Sequence, residues 1–190
     1  MTYSTKVTSY LSGLSPSQLR SWHREGIFRG EHSTRGHYDY SFRDLIALRM
    51  LAALRAEFPL KEIKKAADIA RERDATCHLS QFLFQKAGGT IAVSHATDNG
   101  DRGYQAAFRN LQGQLVPPLK HPHPGIEIDP NRLSGTPTAE GTRIPYDLIV
   151  TLAENMTPKE IIEEYPTLDE DGIQHALSFH QAIEAGDDQS

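Results

Sequence analysis

The chain has 190 residues, 38% of them apolar and 24% charged, the balance of a water-soluble chain with one good core or two small ones sharing a surface. No apolar run approaches the ~20 residues that cross a bilayer, the opening "MTYSTKVTSY" lacks the apolar stretch of a secretory signal, and Cys77 as the single cysteine excludes an internal disulfide and a thiolate metal cluster. A membrane partner is not expected, and the expected compartment is the cytoplasm. The formal charge of −5 is unevenly laid: residues 1–75 carry 13 Lys+Arg against 9 Asp+Glu, residues 76–124 carry 4 against 2, and residues 125–190 carry 3 against 14. The basic head suits a polyanion and the acidic third does not, because each phosphate contact needs a cation.

In chain order, "STKVTSYLSGLSPSQLRSWHREGIFRG" predicts two short helices. Ser4 or Thr5 caps the first and Gly13 breaks it; Ser15 caps the second with Pro16 at its first position, and Gly26 ends it. Leu19 and Trp22 share a packing face, leaving the other face to read a partner. "RGEHSTRGHYDY", with Tyr38 and Tyr40 alternating, suggests a small hairpin or wing. "SFRDLIALRMLAALRAEF" opens on a cap of Ser41 and Asp44 and predicts an amphipathic helix through Leu45, Leu48 and Leu51 or Ala52. A fourth helix follows in "PLKEIKKAADIARERDA", with Leu60, Ile63, Ala67 and Ala70 inward.

Leu19, Arg20, Trp22, Gly26, Tyr40, Ser41, Asp44, Leu45, Leu60 and Ile63 fall in the register of the MerR family, which residues 4–72 resemble. Gln18 stands where that family usually has threonine, and Tyr38 where a wing arginine is expected. The resemblance implies a winged helix-turn-helix on double-stranded operator DNA, with Ser15, Ser17, Gln18, Arg20, Ser21, Trp22, His23, Arg24, Arg35, His37, Tyr38 and Tyr40 as the DNA-binding residues. Gln and Arg side chains of a recognition helix can pair bidentately with adenine or guanine edges, and arginines can equally hold phosphates. The resemblance also implies a long dimerisation helix after the fourth one. "ARERDATCHLSQFLFQKAGG" has no sustained heptads, so self-association as a homodimer or higher must use another surface.

The middle, residues 76–124, reads as short antiparallel strands at "TIAVSH", "YQAAFRN" and "GQLVPPL", separated by turns at "ATDNGDRG" and Gln112-Gly113. "HPHP" at 121–124 reads as an extended linker rather than a metal site, since two histidines need further ligands around them.

In residues 125–190, "GIEIDP" and "TRIP" read as strands, Pro145 as the first turn of "YDLIVTLAEN" and Asn155 as a left-handed stop. A capping box of Thr157 and Glu160 starts "PKEIIEEY", and Asp169 caps the last helix. "AGDDQS" has the composition of a disordered tail. The stretch "GTPTAEGTRIPYDLIV" lacks the lysine and hydroxyl that follow the last glycine of a phosphate loop, so its glycines serve turns. Asp129-Pro130, Gly135, Pro137, "GTRIP" at 141–145, Pro166, Leu168, Ile173, Ala176 and Leu177 resemble the domain of unknown function 433. That resemblance implies a helix-turn-helix-like module like that of VapB-type antitoxins, which accompany PIN-like ribonuclease toxins.

The expected fold class is therefore mainly α with small β elements: a winged helix-turn-helix over 1–75, short antiparallel strands over 76–124, and a small helical domain with a β-hairpin over 125–190. Arg143, Ile144, Tyr146 and Phe179 are the expected partner or dimer interface. The expected function is that of an antitoxin that neutralises a PIN-like ribonuclease and represses its own operon, with no catalytic residues, metal or cofactor. The alternative is a MerR-like regulator whose C-terminal part senses a small ligand.

Overall fold

The computed structural model describes residues 2–32, 38–96 and 106–187. Local capping sets the first helices. In α1 (Thr5–Ser12) the Ser4 hydroxyl accepts from the Val7 N–H, and Gly13 closes the helix at φ +72°. In α2 (Pro16–Arg24) the Ser15 hydroxyl accepts from the Gln18 N–H while the Gln18 side chain accepts from the Ser15 N–H. Ser41 and Asp44 form the same reciprocal cap on α3 (Phe42–Arg55), and α4 (Leu60–Arg73) follows Pro59. Each such cap satisfies N–H groups that a helix start leaves without intrahelical partners.

The expected amphipathic α3 is instead buried on every side from Asp44 to Ala52. Leu48, Met50 and Leu51 enter one core while Leu45 and Ile46 enter a second, so α3 is the central helix of the molecule, and a helix packed all round needs no polar face. The first core joins Leu19, Trp22 and Ile27 to Ile63, Ala66 and Ala70 of α4 and to an antiparallel hairpin. Its strands are β1 (Phe82–Ala87) and β2 (Thr90–His95), with Phe84 opposite Val93. β2 answers the strand expected at "TIAVSH"; β1 was not expected. The inward set Phe82, Phe84, Ile91 and Val93 is buried, and β2 packs on α4. The chain after α4 is thus folded back on its own helix.

The second core is built by β5 (Ile126–Glu127) paired with β6 (Thr138–Ala139) and by α5 (Tyr146–Ala153), α6 (Pro158–Glu164) and α7 (Glu170–Asp187). "TRIP" is not the expected strand: the pairing strand is Thr138–Ala139, and Pro145 makes only an isolated bridge to Thr138. A tight turn explains this, with the Thr142 N–H donating to the Ala139 carbonyl at 3.0 Å and the Ala139 N–H to the Ile144 carbonyl at 3.0 Å. Nor is Asn155 left-handed. The α5 cap, Glu154, is right-handed, and the Asn155 N–H donates to the Leu152 carbonyl at 3.1 Å. The capping box of Thr157 and Glu160 is present. α7 continues through Asp187, so residues 185–187 of the expected disordered tail are helical, and the remainder lies outside the described residues.

The two cores are tied together through the N-terminus. Tyr3 and Leu11 lie in the second core, and α1 packs on both α3 and α7. Tyr3 bridges Tyr40 through two backbone hydrogen bonds of 2.7 and 3.1 Å, and its hydroxyl donates to the Gly135 carbonyl. Tyr10 meets Phe179 edge-on at 5.5 Å, and Lys6 pairs with Glu184 at 2.5 Å. A second hairpin, β3 (Phe108–Arg109) with β4 (Leu115–Val116), is narrower than the strands expected at "YQAAFRN" and "GQLVPPL". Arg49 fastens it: this fully buried guanidinium donates to the Leu11 carbonyl, to the carbonyls of Ala106 and Pro117 at 2.9 Å each, and stands over the Phe108 ring at 5.1 Å. Burial lowers its pKa to about 10, which leaves it charged at neutral pH.

Candidate nucleic-acid interface

On α2 the buried stripe is Leu19 and Trp22, and the opposite stripe is Ser17, Arg20 and Arg24, all exposed. Their spacing of three and four residues places them on one helical face. Among the described residues neither arginine has a hydrogen bond or ion pair, so both guanidiniums project into solvent. Exposed Arg29 adds a third cation just beyond the helix; the residues assigned from sequence omitted it, although it lies five positions after Arg24 in the same basic head.

Several assigned residues have other tasks. Trp22 and Tyr40 are only 3% and 2% exposed, so neither can present a face to DNA. Both are core residues that position the surface rather than form it, because a hydrophobic core under a short helix needs large side chains. Gln18 Oε1 accepts from the Ser15 N–H at 2.8 Å, which removes the acceptor a bidentate pairing with adenine requires. Ser15 caps the helix, and its hydroxyl lies 2.8 Å from that of Ser17. Ser21 donates to Glu25 at 2.5 Å. His23 is half-buried edge-on against Tyr38 at 4.8 Å, and desolvation, then the charge of Arg29, lowers its pKa, which favours the neutral ring. Arg35, His37 and the rest of residues 33–37, the middle of the expected wing, lie outside the described residues.

The other assigned surface divides similarly. Phe179 is fully buried and Tyr146 is 8% exposed, the two rings meeting at 4.8 Å. They are corrected from interface to core: Phe179 is where α1, α5 and α7 converge. Ile144 is partly buried against the same core. Arg143 alone is exposed, without a hydrogen bond or ion pair among the described residues. Its neighbour Arg132 is committed, to Glu127 at 2.8 Å and the Thr142 carbonyl at 3.1 Å.

The histidines of "HPHP" serve local contacts, His121 to Glu140 at 3.7 Å and His123 to Ser178 at 3.3 Å. Glu31, Asp44 and His78 do bring ligand-type atoms together, yet hydrogen bonds within the chain already account for them. Asp44 accepts from the N–H groups of Ser41 and Glu31 at 2.7 and 3.0 Å and faces His78 Nε2 at 3.0 Å. Glu31 accepts from the Ser41 hydroxyl and from Arg43 at 2.7 and 2.5 Å. The cluster is a clasp on the start of α3. No described helix is long and apolar enough to cross a membrane.

Two families account for the two ends of the chain. Residues 3–68 match the MerR HTH family regulatory proteins, and residues 126–180 match the family described as a protein of unknown function, DUF433. The chain therefore joins a MerR-type helix-turn-helix segment to a DUF433 segment. A comparison with curated proteins found no match. Among solved structures, the X-ray crystal structure of Rv2018 from Mycobacterium tuberculosis is similar at 14% identity, covering 92% of this chain and 96% of that one with a TM-score of 0.52; at that identity the likeness is one of fold.

Proposed function

We propose that the chain is a DNA-binding antitoxin: its MerR-type head binds an operator and represses transcription, and its acidic C-terminal unit holds a PIN-like ribonuclease. The observation that carries the DNA half is the stripe of Ser17, Arg20 and Arg24, all exposed, with both guanidiniums lacking a hydrogen bond or ion pair among the described residues, on the helix that a helix-turn-helix places in the major groove. The partner half rests on the C-terminal charge, 3 basic against 14 acidic residues over 125–190, which repels nucleic acid and suits a protein. Arg143, a solvent-facing guanidinium inside the "GTRIP" turn, is suited to a carboxylate of that partner.

Co-expression with the product of the neighbouring gene, capture through a tag on one protein, and mass by light scattering test this reading. A PIN-like protein that co-purifies with its ribonuclease silenced, and is released by Arg143→Glu, is the expected result. A chain that captures no such protein, or that shows no salt-sensitive binding to its own promoter, removes the corresponding half.

A further inference from the structure

Among the described residues three large apolar side chains are exposed: Leu111 at 44%, Leu115 at 65% and Leu133 at 46%. Two of the three belong to the β3–β4 hairpin. That hairpin borders a cavity of about 510 Å³ whose other walls are α1, the turn at Gly13 and Leu14, and the end of α7 at Ile183 and Gly186. Apolar side chains thus stand beside an open groove in part apolar.

We infer that this is where the chain meets a second copy of itself, the hairpin of each protomer seated beside the α1–α2 turn of the other with Leu115 in the groove. The inference rests on the self-association expected of a helix-turn-helix repressor and supplies its surface. Charge selects the occupant. In a two-fold contact each patch meets its own kind, so neither the cationic face of α2 nor the acidic helices α5–α7 can pair with itself cheaply. The groove has one charged residue in its lining, Lys6, already bound to Glu184, and the one charge on the hairpin, Arg109, donates to the Gly113 carbonyl at 2.7 Å. This is a neutral surface between a basic and an acidic one.

Backbone pairing points the same way. Among the described residues β3 and β4 pair only with each other over two residues each, too little for independent stability, and a strand edge without a partner offers its N–H and C=O groups to another chain. The usual alternative is closed off, because the segment after α4 is the β1–β2 hairpin packed back on that helix rather than a projecting coiled-coil strand. The groove also touches Ser15 and Gln18 at the start of α2, so pairing here brings both recognition helices into one assembly.

The test is light scattering and sedimentation equilibrium on the full chain and on Leu115→Asp, Leu111→Asp and Leu133→Asp, with circular dichroism confirming that each is folded. The expected wild-type mass is twice the chain's 21.2 kDa. Leu115→Asp should raise the dimer dissociation constant at least ~30-fold, as loss of a central anchor does, and Leu111→Asp should raise it less. Leu133→Asp, about as exposed as Leu111 but on another turn, should leave it unchanged. A Leu115→Asp chain that dimerises as tightly as wild type overturns the assignment while leaving self-association intact. A wild-type chain that stays monomeric overturns both and leaves the groove to a ligand or a protein of another kind.

Discussion

Asn110 Nδ2 donates to the Gly13 carbonyl at 3.1 Å, while its own Oδ1 accepts from the N–H groups of Gln112 and Gln114 at 3.1 and 3.0 Å. One side chain therefore shapes the β3–β4 turn and pins it to the corner between α1 and α2. Val116 completes the grip: a Cβ added at Gly13 would lie 2.2 Å from its Cγ2.

Gly13→Ala should accordingly destabilise the protein by about 2–4 kcal/mol, combining a left-handed backbone, φ +72°, with overpacking. In a Val116→Ala background the overpacking share disappears and about 1 kcal/mol remains. Urea midpoints of the four chains check this; identical effects of Gly13→Ala in both backgrounds would show that Val116 is not the obstacle.

Arg49→Met should cost about 3 kcal/mol or more, because the carbonyls of Leu11, Ala106 and Pro117 lose a buried donor together. Arg49→Lys should recover less than half of it, since one ammonium cannot reproduce the planar fork. Denaturant unfolding decides the matter, and a methionine variant within 1 kcal/mol of wild type would contradict the fastening role.

For DNA binding, Arg20→Ala and Arg24→Ala should each weaken operator affinity by about 1–3 kcal/mol if the side chain reads a base. If it holds a phosphate, the slope of log affinity against log salt should fall by about 1. Stability should hardly change, both being exposed. Trp22→Ala should do the reverse in origin, costing about 3–5 kcal/mol of folding stability. Fluorescence anisotropy at several salt concentrations, beside thermal melts, separates the two. Unaltered affinity in the Arg20→Ala, Arg24→Ala double variant would remove α2 as the reading helix.

Alkaline pH should unfold the protein in a defined window. Burial pushes the phenols of Tyr40 and Tyr146 up to about 12 and raises Tyr3 and Tyr10 as well. A phenol whose folded pKa lies above its unfolded value near 10 adds stability that is complete below pH ~10 and lost as pH climbs through ~12. Phenolate absorbance from the buried tyrosines should appear only as circular dichroism is lost. All seven tyrosines titrating near pH 10 with the fold intact would refute the burial of Tyr40 and Tyr146.

Helix starts were legible because a cap is written within four residues. Ser15 with Pro16, Ser41 with Asp44, and Thr157 with Glu160 are each local, and no distant partner is needed to read them. The exposed stripe of Arg20 and Arg24 followed from the same helical period. The role of an individual aromatic did not follow: Trp22, Tyr40, Tyr146 and Phe179 are all types that occur both in cores and at interfaces, and nothing within a helix turn of Phe179 reveals that Tyr10, 169 residues away, meets its ring.

From the chain alone came the helix starts, the basic head and acidic tail, and the two motif-bearing ends, since these depend on composition and on contacts between near neighbours. Tertiary structure alone decided that α3 lies between two cores, that β1–β2 folds back on α4, and that Arg49 is buried as a tie between α1 and the β3–β4 hairpin. A periodic pattern shows how many faces of a helix are apolar but not what each face meets. A buried arginine looks in sequence like any surface cation until the carbonyls that satisfy it, 38 to 68 positions away, are brought into place by the fold.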